Sequence, residues 1–300
     1  MPIRKRFGQH FLEPAWVDKV IRAIDPKADE AFIEIGPGRG ALTRPLVARA
    51  KTVTAFEIDR DLAAQLTATA PPNLTVLEGD FLEAAAQHAM LLLGAAHDPR
   101  PTTTDPRLTT NDQRPTTIGQ RLTTNDQRPM IRVAGNLPYN VASPILFALA
   151  ELYASGVPLV DATVMLQREV ADRLVAPPGG REYGVLGILI QHAADVDLLL
   201  KLPPGAFRPP PKVRSALVRL RFHPPDPPVA DPATFAAIVQ AVFTRRRKTL
   251  ANALRAYGDQ LPGLPPADAL AAAGLDGTRR PETLAIGEFA RLADVYAAKR

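Results

Sequence analysis

Apolar and polar positions along this chain repeat with two different periods. Trp16, Val17, Val20, Ile21 and Ile24 fall at helical spacing and predict an amphipathic helix over 16–24. Short apolar runs follow at AFIEI (31–35), TVTAFEID (52–59), LTVLEGD (74–80) and MIRVAG (130–135), each read as a strand. Helical patterns lie between them, through Leu42, Leu46 and Val47, near 60–69 and near 82–93. A helix over about 144–155, a strand at ATVML (162–166) and a helix over about 168–176 continue the alternation. Strands alternating with helices imply an α/β fold with a mainly parallel sheet covered on both faces. Sheets of this type bind ligands beyond the carboxyl ends of their strands.

The pattern changes towards the C-terminus. VRSALVRLRF (213–222) alternates like an edge or hairpin strand, and PPDPPVADP (224–232) reads as a linker. Helices are then predicted over about 232–244, 246–257, 266–273 and 286–298. This divides the chain near 224, into a 1–224 sheet domain and a smaller all-helical domain at 225–300. A different interruption lies at 98–129, where RLTTNDQRP occurs at 107–115 and again, letter for letter, at 121–129. That stretch has too few apolar residues to offset the entropy of ordering it, so it reads as a low-complexity, disordered insertion in a surface loop.

Composition sharpens this picture in three ways. There is no cysteine, which excludes disulfides, cysteine-ligated metal centres and thiol nucleophiles, and fits a reducing, cytoplasmic setting. No apolar run approaches membrane-span length, and Arg4-Lys5-Arg6 is not followed by the apolar run of a signal peptide. The formal net charge of +5 is local: FRPPPKVRSALVRLRFH (207–223) carries five bases and no acid, and Arg245-Arg246-Arg247-Lys248 forms a second cluster. Local basic patches point to a polyanionic partner, although a lone cluster is also compatible with a solvated charged face. His10, His88, His97, His192 and His223 show no metal-ligand spacing, so no metal is expected.

The candidate chemistry sits at four successive strand ends. Glu34-Ile35-Gly36-Pro37-Gly38-Arg39-Gly40 joins a strand to a helix with glycines that allow close ligand approach. Its G-x-G-x-G spacing is not the dinucleotide pattern, and alone it could be a tight structural turn. Glu57 ends the next strand, where a carboxylate can accept both ribose hydroxyls of an adenosine. Asp80 ends the third, placed for an adenine amino group. Either acid alone reads as an ordinary loop residue; in this order the three describe an adenosine pocket. Asn136-Leu137-Pro138-Tyr139 follows the fourth strand. The exocyclic amine of adenine is a weak nucleophile because its lone pair is delocalised into the ring. The Asn136 side-chain oxygen and the Pro138 carbonyl can hold its two N–H groups and favour a pyramidal nitrogen. Tyr139 offers a ring for base stacking. An isolated N-x-P-Y would be only a turn.

With these residues in place, the chain resembles the KsgA/RsmA family of ribosomal RNA adenine dimethyltransferases. The matching motifs are FGQHFL (7–12), EIGPGRGALT (34–43), FEIDRDL (56–62), GDF (79–81), GNLPYN (135–140), LQREVADRL (166–174), FRPPPKVRSALVRL (207–220) and FTRRRKTLANAL (243–254). The resemblance covers nearly all of the chain outside 98–129. It implies a Rossmann-like S-adenosylmethionine-dependent methyltransferase sheet with an RNA-binding helical C-terminal domain. It implies two adjacent adenosines near the 3′ end of small-subunit rRNA as substrate, each methylated twice at N6, and a role in maturation of the small ribosomal subunit. Carried over by motif, the cofactor contacts are His10, Leu12, Gly36, Glu57, Asp80 and Asn136. Position 10 is often asparagine in the family, and histidine still offers a donor.

On the substrate side, the resemblance makes Phe207 a second stacking ring opposite Tyr139; the other reading of Phe207 is an apolar anchor for the Pro209–Pro211 turn. Arg208, Lys212 and Arg214, with Arg219 and Arg221 farther along the same alternating strand, are expected to face phosphates, and Arg245, Arg246, Arg247 and Lys248 to extend that surface. The partners expected are small-subunit rRNA and the immature subunit, for a monomeric protein with no membrane contact. Two other readings stay open: an Erm-like or DNA adenine-N6 methyltransferase, and a non-catalytic assembly or transcription factor on the same fold.

Overall fold

The structure is a computed structural model, and it describes residues 10–87, 130–255 and 264–299. The 98–129 insertion lies outside them. The first described elements are a two-residue strand, β1 (Phe11–Leu12), and helix α1 (Pro14–Ile24). Then come β2 (Ala31–Ile35), α2 (Thr43–Val47), β3 (Thr52–Glu57), α3 (Arg60–Ala68), β4 (Leu74–Glu78) and α4 (Phe81–Gln87). After the insertion the chain continues through β5 (Ile131–Asn136), α5 (Ala142–Ala154), β6 (Leu159–Gln167), α6 (Arg168–Leu174), α7 (Val185–Gln191) and β7 (Ala194–Leu202). The short β8 (Phe207–Arg208) and the longer β9 (Ser215–Phe222) complete the strands.

Seven strands form one sheet in the order β4-β3-β2-β5-β6-β9-β7. The first five run parallel, and β9 lies antiparallel between β6 and β7. The strand at 215–222 is therefore interior and not at an edge, although it does form a hairpin-like pair with β7. Its first four residues are buried, as a strand with neighbours on both sides requires.

Alternate residues of the central strands serve two cores, as a period of two dictates. Ile33, Val133, Val164 and Val218 face the cluster built on α5, while Phe32, Ala134, Met165 and Leu217 face α1 and α2. Helix α1 contributes Val20, Ile21 and Ile24, all buried, each removing enough apolar surface from water to stabilise the fold by about 1.5–3 kcal/mol. Its C-terminus is held by two arginines, Arg132 buried and Arg219 half-buried. Arg132 Nη2 donates to the Ile24 carbonyl (2.8 Å) and Nη1 to the Asp25 carbonyl (3.2 Å), while Arg219 reaches the Ala23 and Ile24 carbonyls. Asp161 holds Arg132 through two bonds of 2.9 Å and lies 3.5 Å from Arg219; Glu30 takes a third Arg132 bond at 2.9 Å.

The remaining helices are α8 (Pro232–Thr244), α9 (Leu250–Arg255), α10 (Pro266–Ala272) and α11 (Ile286–Ala297). They bury a separate apolar cluster around Phe235, Val242, Leu254, Leu270 and Phe289. Tyr183 and Ile188, from earlier in the chain, belong to it as well, and the Tyr183 hydroxyl donates to the Leu284 carbonyl (2.9 Å). Burial pushes that phenol up to about 12, so it stays a neutral donor. Among the described residues no helix is long and apolar enough to cross a membrane.

Candidate active site

Two adjoining hollows at the carboxyl ends of β2, β3, β4 and β5 share Gly36, Ile58 and Pro138 in their walls and make one cleft. It lies where the connections leaving β2 and β5 diverge, the position expected of a ligand crevice in an open α/β sheet. The glycine loop enters it because Gly36 and Gly38 adopt φ of +68° and +59°, a region that side chains resist. Gly135 serves the same crevice differently. A Cβ there would stand 2.5 Å from the Ile35 carbonyl oxygen, so only glycine lets β5 lie this close to β2.

Glu57 is buried at the tip of β3. Its Oε2 accepts from the Gly38 amide (2.8 Å) and its Oε1 from the Asp59 amide (2.9 Å). Burial raises its pKa, and the backbone donors oppose that rise. Each oxygen retains a second lone pair for a ligand hydroxyl. Asp80 lines the other half of the cleft, its Oδ1 accepting from the Leu82 amide (2.9 Å).

Asn136 stands at the end of β5. Its Nδ2 donates to the His10 carbonyl (2.8 Å), so the amide nitrogen is committed to the protein and the oxygen is the end presented to a ligand. Pro138 and Tyr139 continue the wall. The Tyr139 hydroxyl shares a 2.7 Å bond with Ser215 Oγ, and its ring stacks on His10 at 5.7 Å and 28°. Burial raises the Tyr139 pKa, with the Ser215 bond opposing it, so the phenol stays neutral.

Residues 10–13 tie these parts together. Phe11 and Leu12 pair with Arg208 and Phe207, and the Glu13 amide donates to the Ala206 carbonyl (2.9 Å). His10 Nδ1 bonds the Pro209 carbonyl at 2.8 Å. The Phe11 ring would lie 3.2 Å from a Cβ on Gly38, and the Arg39 guanidinium sits 4.3 Å above it. The same four residues thus touch the glycine loop, the Asn136–Tyr139 turn and the segment at 206–209.

Every residue expected at the cofactor, namely His10, Leu12, Gly36, Glu57, Asp80 and Asn136, lines the cleft. Phe207 does not. It is 1% exposed and belongs to the cluster beneath α1 with Leu12, Met165 and Leu217, which matches the apolar-anchor reading; of the two expected stacking rings, Tyr139 lines the cleft. The basic residues also divide. Lys212, Arg214, Arg245, Arg247 and Lys248 are exposed. Arg208 is exposed but pairs with Glu13, and Arg246 is partly engaged by Glu282 (3.7 Å) and the Gly180 carbonyl (3.2 Å). Arg219 is not a phosphate ligand in this arrangement, because its guanidinium caps α1; Arg221 pairs with Asp197. Among the described residues no group of acids and histidines is placed to hold a metal ion.

Sequence reading passed over Glu34. It is 1% exposed, it lines the cleft, and its Oε2 has no hydrogen-bond partner among the described residues. The Thr43 hydroxyl beside it also lacks one; it is close enough to favour the ionised carboxyl but stands outside hydrogen-bonding geometry. Burial foremost, with the Glu57 charge adding to it, lifts the Glu34 pKa from 4.5 to about 8. An acid inside a buried parallel strand that otherwise reads AFIEI was the available signal.

Residues 2–297 match the family model described as ribosomal RNA adenine dimethylase. The chain is 38% identical to the ribosomal RNA small subunit methyltransferase A of Laribacter hongkongensis, covering 99% of this chain and 97% of that one. It is 41% identical to the protein of the same name from an Anaeromyxobacter species, over 96% and 92% of the two chains. Among solved structures, it is similar to a dimethyladenosine transferase from Plasmodium falciparum, with a TM-score of 0.68, 24% identity and coverage of 94% and 96%. It also shares its fold with the 23S rRNA methyltransferase ErmE, with a TM-score of 0.59, 24% identity and coverage of 96% and 99%.

Proposed function

This chain belongs to the ribosomal RNA adenine dimethylase family and is an S-adenosylmethionine-dependent rRNA adenine dimethyltransferase; from that premise we propose that it methylates N6 of two adjacent adenosines near the 3′ end of small-subunit rRNA, each twice, during maturation of the subunit. The cleft fits the cofactor on its own chemistry. Two positive-φ glycines open the backbone, Glu57 and Asp80 offer acceptors, and Glu34 holds an orphaned buried oxygen. Gly36, Leu12 and His10 would bound the methionine end, Glu57 the ribose and Asp80 the adenine. When bound, S-adenosylmethionine supplies a methyl group activated by a sulfonium.

The observation that carries the substrate side is the bond from Asn136 Nδ2 to the His10 carbonyl (2.8 Å). It orients the amide so that its oxygen can accept one N–H of the target amine, with the Pro138 carbonyl accepting the other. Loss of amine planarity then raises the nitrogen's nucleophilicity, and positioning supplies most of the rate. Tyr139, fixed by Ser215 and His10, stacks on the extruded base; such stacking returns about 1–3 kcal/mol per base. The amine proton is lost to solvent, since no side chain assigned here is a strong base.

The deciding experiment maps methyl groups on small-subunit RNA from cells lacking this protein, before and after it is restored. Two adjacent unmethylated adenosines that become dimethylated on restoration are the expected result. An unchanged small-subunit map with altered large-subunit RNA would overturn the assignment.

The exposed bases Lys212, Arg214, Arg245, Arg247 and Lys248 support binding through phosphates. Affinity for immature small subunits should therefore fall steeply with salt, and each charge removed at Lys212 or Arg214 should flatten the log–log slope by about 1. Filter binding between low and moderate salt checks this, and a flat response in the parent would refute it.

A further inference from the structure

Lys212, Val213 and Arg214 form an exposed triplet fastened on both sides. Before it, the Pro209 carbonyl accepts from His10 Nδ1 (2.8 Å) and Pro211 is buried. After it, the Arg214 carbonyl accepts from the Arg168 amide (2.9 Å). Ser215 is then buried opposite Gln167 of β6 and Leu202 of β7, and its hydroxyl shares the 2.7 Å bond with Tyr139. His10 and Tyr139 both line the cleft, so the triplet is clamped to the cleft wall at either end. Val213 nevertheless stands 43% exposed. Ile58, Leu77, Met130 and Val175 are the other large apolar side chains exposed among the described residues. Ile58 lines the cleft, and none of the four adjoins a base in sequence, whereas Val213 lies between two. A single exposed valine is ordinary on a protein surface. One held rigidly between two exposed cations, two residues from the anchor of the stacking ring, is placed as a contact.

We propose that Val213 is a specificity-determining contact for the RNA: it packs against the base of the adenosine next to the one held at Asn136, while Lys212 and Arg214 meet the flanking phosphates. This rests on the reading of the substrate as two adjacent adenosines. Extruding one of them into the cleft strips its neighbour of a stacking partner. An apolar side chain at the mouth of the cleft can take the vacated place, as apolar wedges do where proteins open a base step. The clamps at Pro209 and Ser215 mean that little further ordering is needed when the RNA arrives. The charge pattern favours RNA over a protein surface, because 207–223 holds five bases and no acid. Each adenosine of the pair serves in turn as the neighbour of the other, so the same contact acts in both rounds of methylation.

The test uses immature small subunits from cells lacking this protein, with methylation resolved at each adenosine. Val213→Ser should lower kcat/KM for the subunits by about threefold to tenfold, most of it in KM, as loss of one apolar contact implies. Products dimethylated at only one of the two adenosines should accumulate. Melting temperature and S-adenosylmethionine affinity should stay at parental values, since the side chain is exposed and lies outside the cofactor cleft. Val213→Ile, which keeps the apolar surface, should restore the parental rate. The chain has no cysteine, so Val213→Cys gives a single attachment point for a photo-cross-linker. Cross-links to the nucleotide beside the target adenosine are expected. Parental kinetics in Val213→Ser, a defect that Val213→Ile shares, or cross-links confined to a ribosomal protein would each overturn the proposal. A parent that leaves these subunits unmethylated would instead overturn the substrate assignment, and this proposal with it.

Discussion

Asn136→Ala is expected to lower the rate of methyl transfer at saturating cofactor by about 10²–10³-fold, the scale seen when one oriented hydrogen-bonding group is removed from a reacting centre. Affinity for S-adenosylmethionine should change far less, because Glu57, Asp80 and the glycine loop are untouched. The reasoning is geometric. Asn136 makes one bond to the protein, from Nδ2 to the His10 carbonyl at 2.8 Å, and that bond decides which end of the amide meets the substrate. Alanine removes both ends. Asn136→Asp separates them: it keeps an oxygen for the amine but turns a second oxygen against the His10 carbonyl, so it too should fail. Single-turnover kinetics beside calorimetric cofactor binding make the comparison. Near-parental turnover in Asn136→Ala would remove the amine-holding role.

Asp161→Ala should destabilise the protein by about 3–5 kcal/mol, the range for breaking a buried ion pair and stranding its partner. Here two arginines lose by it. Arg132 is 7% exposed and donates two 2.9 Å bonds to this one carboxylate, and Arg219 stands 3.5 Å from it. Glu30 remains to Arg132 but meets a different edge of the guanidinium. The cluster lies at the start of β5 and β6, the end of the sheet away from the cleft, so methylation measured well below the unfolding transition should persist. Denaturant titration gives the loss. A paired replacement of Arg132 by methionine and Asp161 by leucine should recover much of it, because the most buried charge is then gone, while Arg219 and Glu30, which lose a partner, are partly open to water. A midpoint for Asp161→Ala within error of the parent would refute the account.

Much of this architecture was legible from residue order. The parallel strands announced themselves as short apolar runs followed by glycine, acid, acid and asparagine, and these four ends do meet in one cleft. What escaped reading has identifiable causes. Strand β7 carries a register shift between Leu198 and Leu200, which breaks the alternation a strand would otherwise show. Helix α7, VLGILIQ, is apolar on nearly every side and has no period to find. The two-residue ladder of β1 and β8 is too short for any pattern. Arg219 is expected at phosphates but caps α1 instead, because alternation gives the strand face and not what packs on it. Phe207 beside three prolines could equally look outward or inward; the pairing of its backbone with Leu12 turns it in. Glu34 has no role legible in its motif, because burial is what makes a carboxyl chemically unusual.

The insertion of β9 between β6 and β7 bears on when this protein becomes competent during its own synthesis. Strand β7 leaves the ribosome before β9, yet it has no place in the sheet until β9 arrives to pair with it on one side and with β6 on the other. The His10 contacts with Pro209 and with Asn136 span 199 and 126 positions of the chain, so the cleft acquires its roof in the same late event. Contacts this distant in sequence form slowly and close together. A nascent chain halted before residue 206 would carry all four strand-end motifs and still lack the segment that pairs with Phe11 and Leu12 and holds His10 against Asn136.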